Sequence, residues 1–144
     1  MKQPVILSIR GEQNYQGQEP DTIEMVTEGV LELREDGWVI EYEESELTGL
    51  QGVTTTFCAQ GDTITLTRRG ALNSQMVFQP GVSHDSLYEM EYGALLITVT
   101  ANRIESQITR QGGTVDLRYA IEIEQTAAGT IDYHLDVRPK EIAC

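Results

Sequence analysis

The segment Trp38-Val39-Ile40-Glu41-Tyr42-Glu43-Glu44-Ser45-Glu46 carries the residues best placed for chemistry. In an extended strand alternate side chains share a face. If Trp38, Ile40 and Tyr42 turn inward, Glu44 and Glu46 continue the same stripe. An inward carboxylate needs a cation, because an unpaired buried charge costs several kcal/mol. By the same parity Ile64, Leu66 and Arg68 share a face, which makes Arg68 the candidate partner of Glu44 or Glu46. Three arrangements fit: a charged anchor inside a pocket, an internal ion pair that plugs one end of the fold, or charges already solvated at its rim.

Tyrosines form the second group. Tyr42, Tyr88, Tyr92 and Tyr119 lie in strand-like segments at positions that can face inward. Tyr88 and Tyr92 share parity with Met90, and Met76 and Phe78 share parity with Ser74. A cavity lined by phenol hydroxyls, Met76 and Phe78 suits a small amphipathic ligand. The same side chains would equally fill an ordinary core.

Catalytic patterns are missing. Thr54, Thr55 and Thr56 have no His or Lys nearby in sequence to activate a hydroxyl, and neither His84 nor His134 has a visible acid partner. The chain has no Gly-x-Ser-x-Gly, no phosphate-cradling loop before a helix and no His-Glu-x-x-His. Carboxylate pairs are too common in so acidic a chain to mark acid–base catalysis. The two histidines and two cysteines, Cys58 and Cys144, lack ligand spacing, so neither a zinc site nor any cofactor is expected. A Cys58–Cys144 disulfide is not expected either.

Composition narrows the partners. The 144 residues carry 10 Lys+Arg against 23 Asp+Glu, a net charge of −13. That charge repels phosphate backbones and anionic membrane surfaces, which argues against nucleic-acid and membrane binding. It leaves a basic protein partner or a homodimer open. No stretch approaches the ~18–20 apolar residues of a membrane span. The apolar run Val5–Ile9 is shorter than the roughly 7–15 residues of a secretory core, so it reads as a first strand and the expected location is cytoplasmic.

The rest of the chain positions these residues. Apolar and polar residues alternate along Ile23–Leu33, Trp38–Glu43, Thr63–Thr67, Asp116–Glu124 and Ile131–Arg138. A period of two with one wet face describes antiparallel strands. Turn residues recur at Gly17–Asp21, Asp36-Gly37, Gly49–Gly52, Gly61-Asp62, Gly70–Asn73, Pro80-Gly81, Gly112-Gly113 and Ala127–Gly129. Asp36-Gly37 predicts a type I′ hairpin turn. Gly29, inside a strand, predicts a bend or a close approach. One short helical turn is expected, at Thr48–Gly52 or Val82–Leu87. The chain thus predicts one all-β domain over 1–144 with about 8–10 strands. A sheet of that many strands removes its edges by closing into an up-and-down barrel, a two-sheet sandwich being the other solution.

The order Thr27-Glu28-Gly29, Tyr42-x-Glu44-x-Glu46-x-Thr48-Gly49-Leu50-x-Gly52-Val53-x-Thr55, Arg68-x-Gly70, Ser74-x-Met76-x-Phe78 and Tyr88-x-x-x-Tyr92-Gly93 resembles the YwiB-like family, a bacterial family of unknown function, over residues 4–138. Met90 departs from it, standing where Thr is expected. The resemblance implies a calycin-like barrel similar to lipocalins and fatty-acid-binding proteins, a bacterial cytoplasmic protein, and no assigned catalytic residues. The expected function is binding of a small amphipathic ligand inside the barrel, through Tyr42, Glu44, Glu46, Arg68, Met76, Phe78, Tyr88, Tyr92 and Tyr119. A solid-packed, non-catalytic interaction module is the alternative.

Overall fold

The computed structural model describes residues 2–15, 17–44, 51–90 and 93–140. Ten strands follow one another: β1 Lys2–Tyr15, β2 Asp21–Arg34, β3 Gly37–Glu43, β4 Val53–Gln60, β5 Thr63–Gly70, β6 Ser74–Phe78, β7 Ser83–Met90, β8 Gly93–Thr109, β9 Gly112–Ile123 and β10 Thr126–Pro139. They form one antiparallel sheet in the order β6-β5-β4-β3-β2-β1-β10-β9-β8-β7. Chain neighbours are sheet neighbours except β6 and β7, and the first and last strands meet where β1 pairs β10. The sheet rolls into a nearly closed up-and-down barrel, consistent with the calycin-like form.

Closure is incomplete at one seam. Strands β6 and β7 touch at Gln79↔Val82 and at Asn73↔Glu89, where two backbone hydrogen bonds of 3.1 and 2.9 Å run both ways. Between these points no ladder joins them among the described residues. The turn between them is tied down instead by Pro80↔Ala101 and by Gly81 N–H donating to the Ala101 carbonyl.

The predicted alternation is met strand by strand. Val5, Leu7 and Ile9 are buried, as are Trp38, Ile40 and Tyr42, Ile64 and Leu66, Val115, Leu117, Tyr119 and Ile121, and Ile131, Leu135 and Val137. At the end of the barrel that holds Val5, Leu31, Trp38, Ile64, Phe78, Val99 and Val137, each of these residues is at most 5% exposed.

Three local expectations are corrected. The hairpin after β2 exists, but Arg34 pairs Gly37, so its loop is Glu35-Asp36, and neither Asp36 nor Gly37 has positive φ. Gly37 belongs to the strand, where a Cβ would run into the Ala59 carbonyl. The primed geometry sits after β9 instead, at Glu124 (φ 51°) and Gln125 (φ 66°). The Glu124 carboxylate accepts the Leu96 N–H at 2.8 Å and its own N–H donates to the Leu96 carbonyl at 2.8 Å. Those bonds hold a non-glycine residue in the left-handed region, and the expected turn at Ala127–Gly129 becomes a bulge. Finally, Val82–Leu87 is not helical, because Ser83–Leu87 pair with Thr100–Leu96 of β8. Of the other expected helical turn, only Gln51 and Gly52 are described.

Gly29 is a close approach. A Cβ there would lie 2.7 Å from Leu7 Cδ1 and 2.8 Å from the Glu41 carbonyl. Gly29→Ala is therefore expected to lower stability by about 1–3 kcal/mol. Gly11→Ala, whose Cβ meets only Tyr133 at 3.9 Å, should leave the urea midpoint nearly unchanged. Equal midpoints for the two variants would refute the steric account.

Candidate functional site

The inward face of the sheet carries one polar row. Register sets Tyr42 of β3 opposite Thr55 of β4, Thr55 opposite Arg68 of β5, and Arg68 opposite Ser74 of β6. Glu44 stands one inward step beyond Tyr42. Glu44, Thr55 and Ser74 are the buried polar residues among those described. The Thr55 hydroxyl donates to the Glu44 carboxylate at 2.5 Å. Arg68 Nε lies 3.8 Å from the same oxygen, with the Glu44 side chain only 2% exposed and that of Arg68 17%. This separation makes a charge pair without a hydrogen bond at Nε. Arg68 Nε and Ser74 Oγ are buried with no hydrogen-bond partner among the described residues.

Tyr42 also reaches across the barrel. Its hydroxyl lies 3.0 Å from that of Tyr133 on β10. Phe57 packs against both rings, at centroid distances of 6.5 Å to Tyr42 and 5.4 Å to Tyr133. The three rings form a floor. Beyond it the barrel is hollow, with a cavity of about 380 Å³ bounded by β1, β2, β3, β5 to β10 and Glu44. Most of the lining is apolar: Ile9, Ile23, Met25, Leu66, Ile97, Ile121 and Ile131 are among it. Gln13, Tyr15, Ile23, Tyr88, Leu95 and Ile123 are only partly buried, so the cavity opens at their end.

Five of the six tyrosines, Tyr15, Tyr42, Tyr88, Tyr119 and Tyr133, line this space. Their hydroxyls supply the neutral donors and acceptors that orient a ligand in an apolar pocket. Burial raises the Tyr42 phenol well above its ordinary pKa, and the Glu44 charge adds to the shift. Burial likewise raises Tyr119 and Tyr133, and Tyr15 to a smaller extent.

The sequence-predicted residues divide clearly. Tyr42, Glu44, Arg68, Met76, Tyr88 and Tyr119 line the cavity. Phe78 does not: fully buried, it packs against Tyr119 with the rings tilted at 45° and their centroids 4.6 Å apart. Glu46 and Tyr92 lie outside the described residues, as does Cys144. Thr55, Tyr15 and Gln13 join the site without a local signal, and Tyr133 joins it on the inward parity it shares with Ile131 and Leu135. One acid partner was also invisible in sequence: His134 Nδ1 lies 2.6 Å from Asp116. That pair sits on the outer wall, beside Arg118 hydrogen-bonded to Asp132 at 2.6 Å, around a shallower depression of about 160 Å³. Pairs this exposed contribute little. Among the described residues no group of His, Cys, Asp and Glu side chains is placed to hold a metal ion. No helix is long and apolar enough to cross a membrane among them.

Residues 7–135 match a family described as a domain of unknown function, DUF1934. The chain belongs to that family. Its fold is also that of the crystal structure of the ywiB protein from Bacillus subtilis, with a TM-score of 0.85 at 18% identity over 97% of this chain and 94% of the other. Among curated proteins none matches. This DUF1934 barrel therefore shares an architecture with a solved relative, and its chemistry has to be read from its own side chains.

The raised phenols fix a pH dependence. In the unfolded chain tyrosine ionises near pH 10, while in the barrel Tyr42, Tyr119 and Tyr133 hold their protons beyond that. The native state then binds more protons than the unfolded state, so stability is complete below about pH 10 and falls as pH rises past it. Tyr42→Phe and Tyr133→Phe should each make that decline shallower. The check is urea midpoints against pH, with tyrosinate absorbance followed in parallel. An unchanged slope in both variants would remove the burial argument.

Proposed function

We propose that this protein binds a small amphipathic molecule in the hollow half of its barrel, as a cytoplasmic, non-catalytic carrier or sensor. The supporting observation is the cavity above the Tyr42–Phe57–Tyr133 floor. Its volume of about 380 Å³ falls inside the roughly 300–1,000 Å³ of small-molecule sites. An apolar wall with a few convergent hydroxyls and one ion pair is what such sites use for affinity and orientation. The acidic exterior is compatible with free diffusion away from membranes and nucleic acids. The interaction-module reading has less support. The large exposed apolar side chains among the described residues are Val26 and Val30 on the outer face of β2, Val82 just before β7 and Leu87 on β7, five strands away in the sheet. They make no single broad patch.

Native mass spectrometry of the protein purified from its own host is expected to show a small bound mass that leaves on denaturation. A doubled mass would instead favour self-association. Met25→Trp, which fills the cavity from β2, should lose the bound mass and at least about tenfold in affinity for the neutral dye N-phenyl-1-naphthylamine. If the unmodified protein carries no mass and does not take up the dye, the binding reading fails.

A further inference from the structure

Resting on the ligand-binding reading above, we infer that the cavity selects an uncharged amphipathic ligand with an oxygen-bearing head, and that Glu44 is the specificity-determining residue that excludes carboxylates and other anions.

The cavity's charge balance carries the argument. Glu44 and Arg68 are the charged side chains among its described lining residues. They lie 3.8 Å apart, so the pair presents no net charge. Their exposure differs: the Arg68 side chain retains 17% and that of Glu44 only 2%. A ligand therefore meets more of Arg68 than of Glu44. Glu44 cannot easily swing aside, because Thr55 holds it at 2.5 Å and its charge lies against Arg68.

An anionic head placed against Arg68 would be a second carboxylate sharing one guanidinium. One of the two negative charges would then be buried without a counter-ion, which low-dielectric surroundings penalise heavily. A neutral oxygen meets no such penalty. Glu44 cancels the charge of Arg68 without taking a hydrogen bond from Nε, which has no partner among the described residues. Nε itself is buried, so a neutral head meets the 17% of the Arg68 side chain left exposed, and the protonated phenols of Tyr42, Tyr119 and Tyr133 add hydroxyls. The net charge of −13 over the whole chain further disfavours the approach of anions. Fatty alcohols, acylglycerols or quinone-like molecules have the required head, and fatty-acid anions do not.

Two dyes isolate the effect. N-phenyl-1-naphthylamine is neutral, and 1-anilinonaphthalene-8-sulfonate is the same skeleton bearing a sulfonate. Fluorescence titration near pH 7 is expected to show the unmodified protein favouring the neutral dye. Glu44→Gln keeps the shape, uncovers the charge of Arg68 and should move the affinity ratio at least about tenfold toward the sulfonate. Arg68→Gln should move it the other way, and Glu44→Gln with Arg68→Gln should bring it back near the original. If Glu44→Gln does not fold, the Arg68→Gln and double variants still decide the direction. A ratio that none of the folded variants shifts, or tighter sulfonate binding by the unmodified protein, overturns the inference and leaves the binding reading standing. No uptake of either dye by any form removes both.

Discussion

A sheet that rolls until its outer strands meet gives an inward side chain only two fates. It packs against the opposite wall, or it faces a space that opens at an end of the barrel. Both occur in this molecule, and the change from one to the other is set by side-chain size and polarity along each strand. Toward one end Leu7, Leu31, Ile40, Phe57, Phe78 and Leu135 fill the lumen completely. Toward the other, Gly11 and Gln13 on β1 follow Ile9, and the walls no longer meet. The polar row Tyr42, Thr55, Arg68 and Ser74 lies at this boundary. It cannot turn outward without taking Trp38, Ile40, Leu66 and Met76 out of the core, because side-chain parity is shared along each strand.

The floor couples the two halves. Tyr42 and Tyr133 come from strands three steps apart in the sheet, and their hydroxyl contact of 3.0 Å spans the lumen. Phe57 supports both rings from the packed side. In the proposed ligand-binding reading, a molecule above the floor rests on groups whose positions are fixed by the core, and little reorganisation is needed. The outer wall contributes differently. Its exposed pairs, such as Arg118–Asp132 and Lys140–Glu28, add solubility and little stability.

Period-two patterning made the strands, their inward faces and the Glu44–Arg68 partnership legible, because parity is a local property that survives without knowledge of the pairing. Depth along the barrel is not local. Phe78 has the same parity as Met76, yet it lies below the cavity, since depth depends on the tilt and stagger of all ten strands. The partners of Tyr133 and Thr55 are hidden for the same reason: parity turns Tyr133 inward, but the groups these two meet are 91 and 11 residues away, and no spacing rule links them. Turn chemistry failed where tertiary bonds intervened. Asp36-Gly37 has the strongest turn signal in the chain, but Gly37 is consumed by its approach to β4, while Glu124 holds a left-handed conformation because Leu96 bonds to it twice.

The distribution of imperfect packing is itself informative. A buried ion pair is a poor way to stabilise a fold, and apolar residues of similar volume often serve as well or better. Arg68 and Glu44 do not even share a hydrogen bond at Nε, and the neighbouring Ser74 hydroxyl is unsatisfied among the described residues. The large side chains that fill the packed half, by contrast, are hydrocarbon and aromatic. Local rules are broken in the stretch of the lumen where the walls part, and this coincidence of polar strain with empty volume is what the proposed binding site rests on. A barrel shaped only to be a surface would have no physical reason to gather five phenols and a loosely paired guanidinium around a cavity. One shaped to hold a small molecule needs such groups there, and it needs their charges to sum to what the ligand carries.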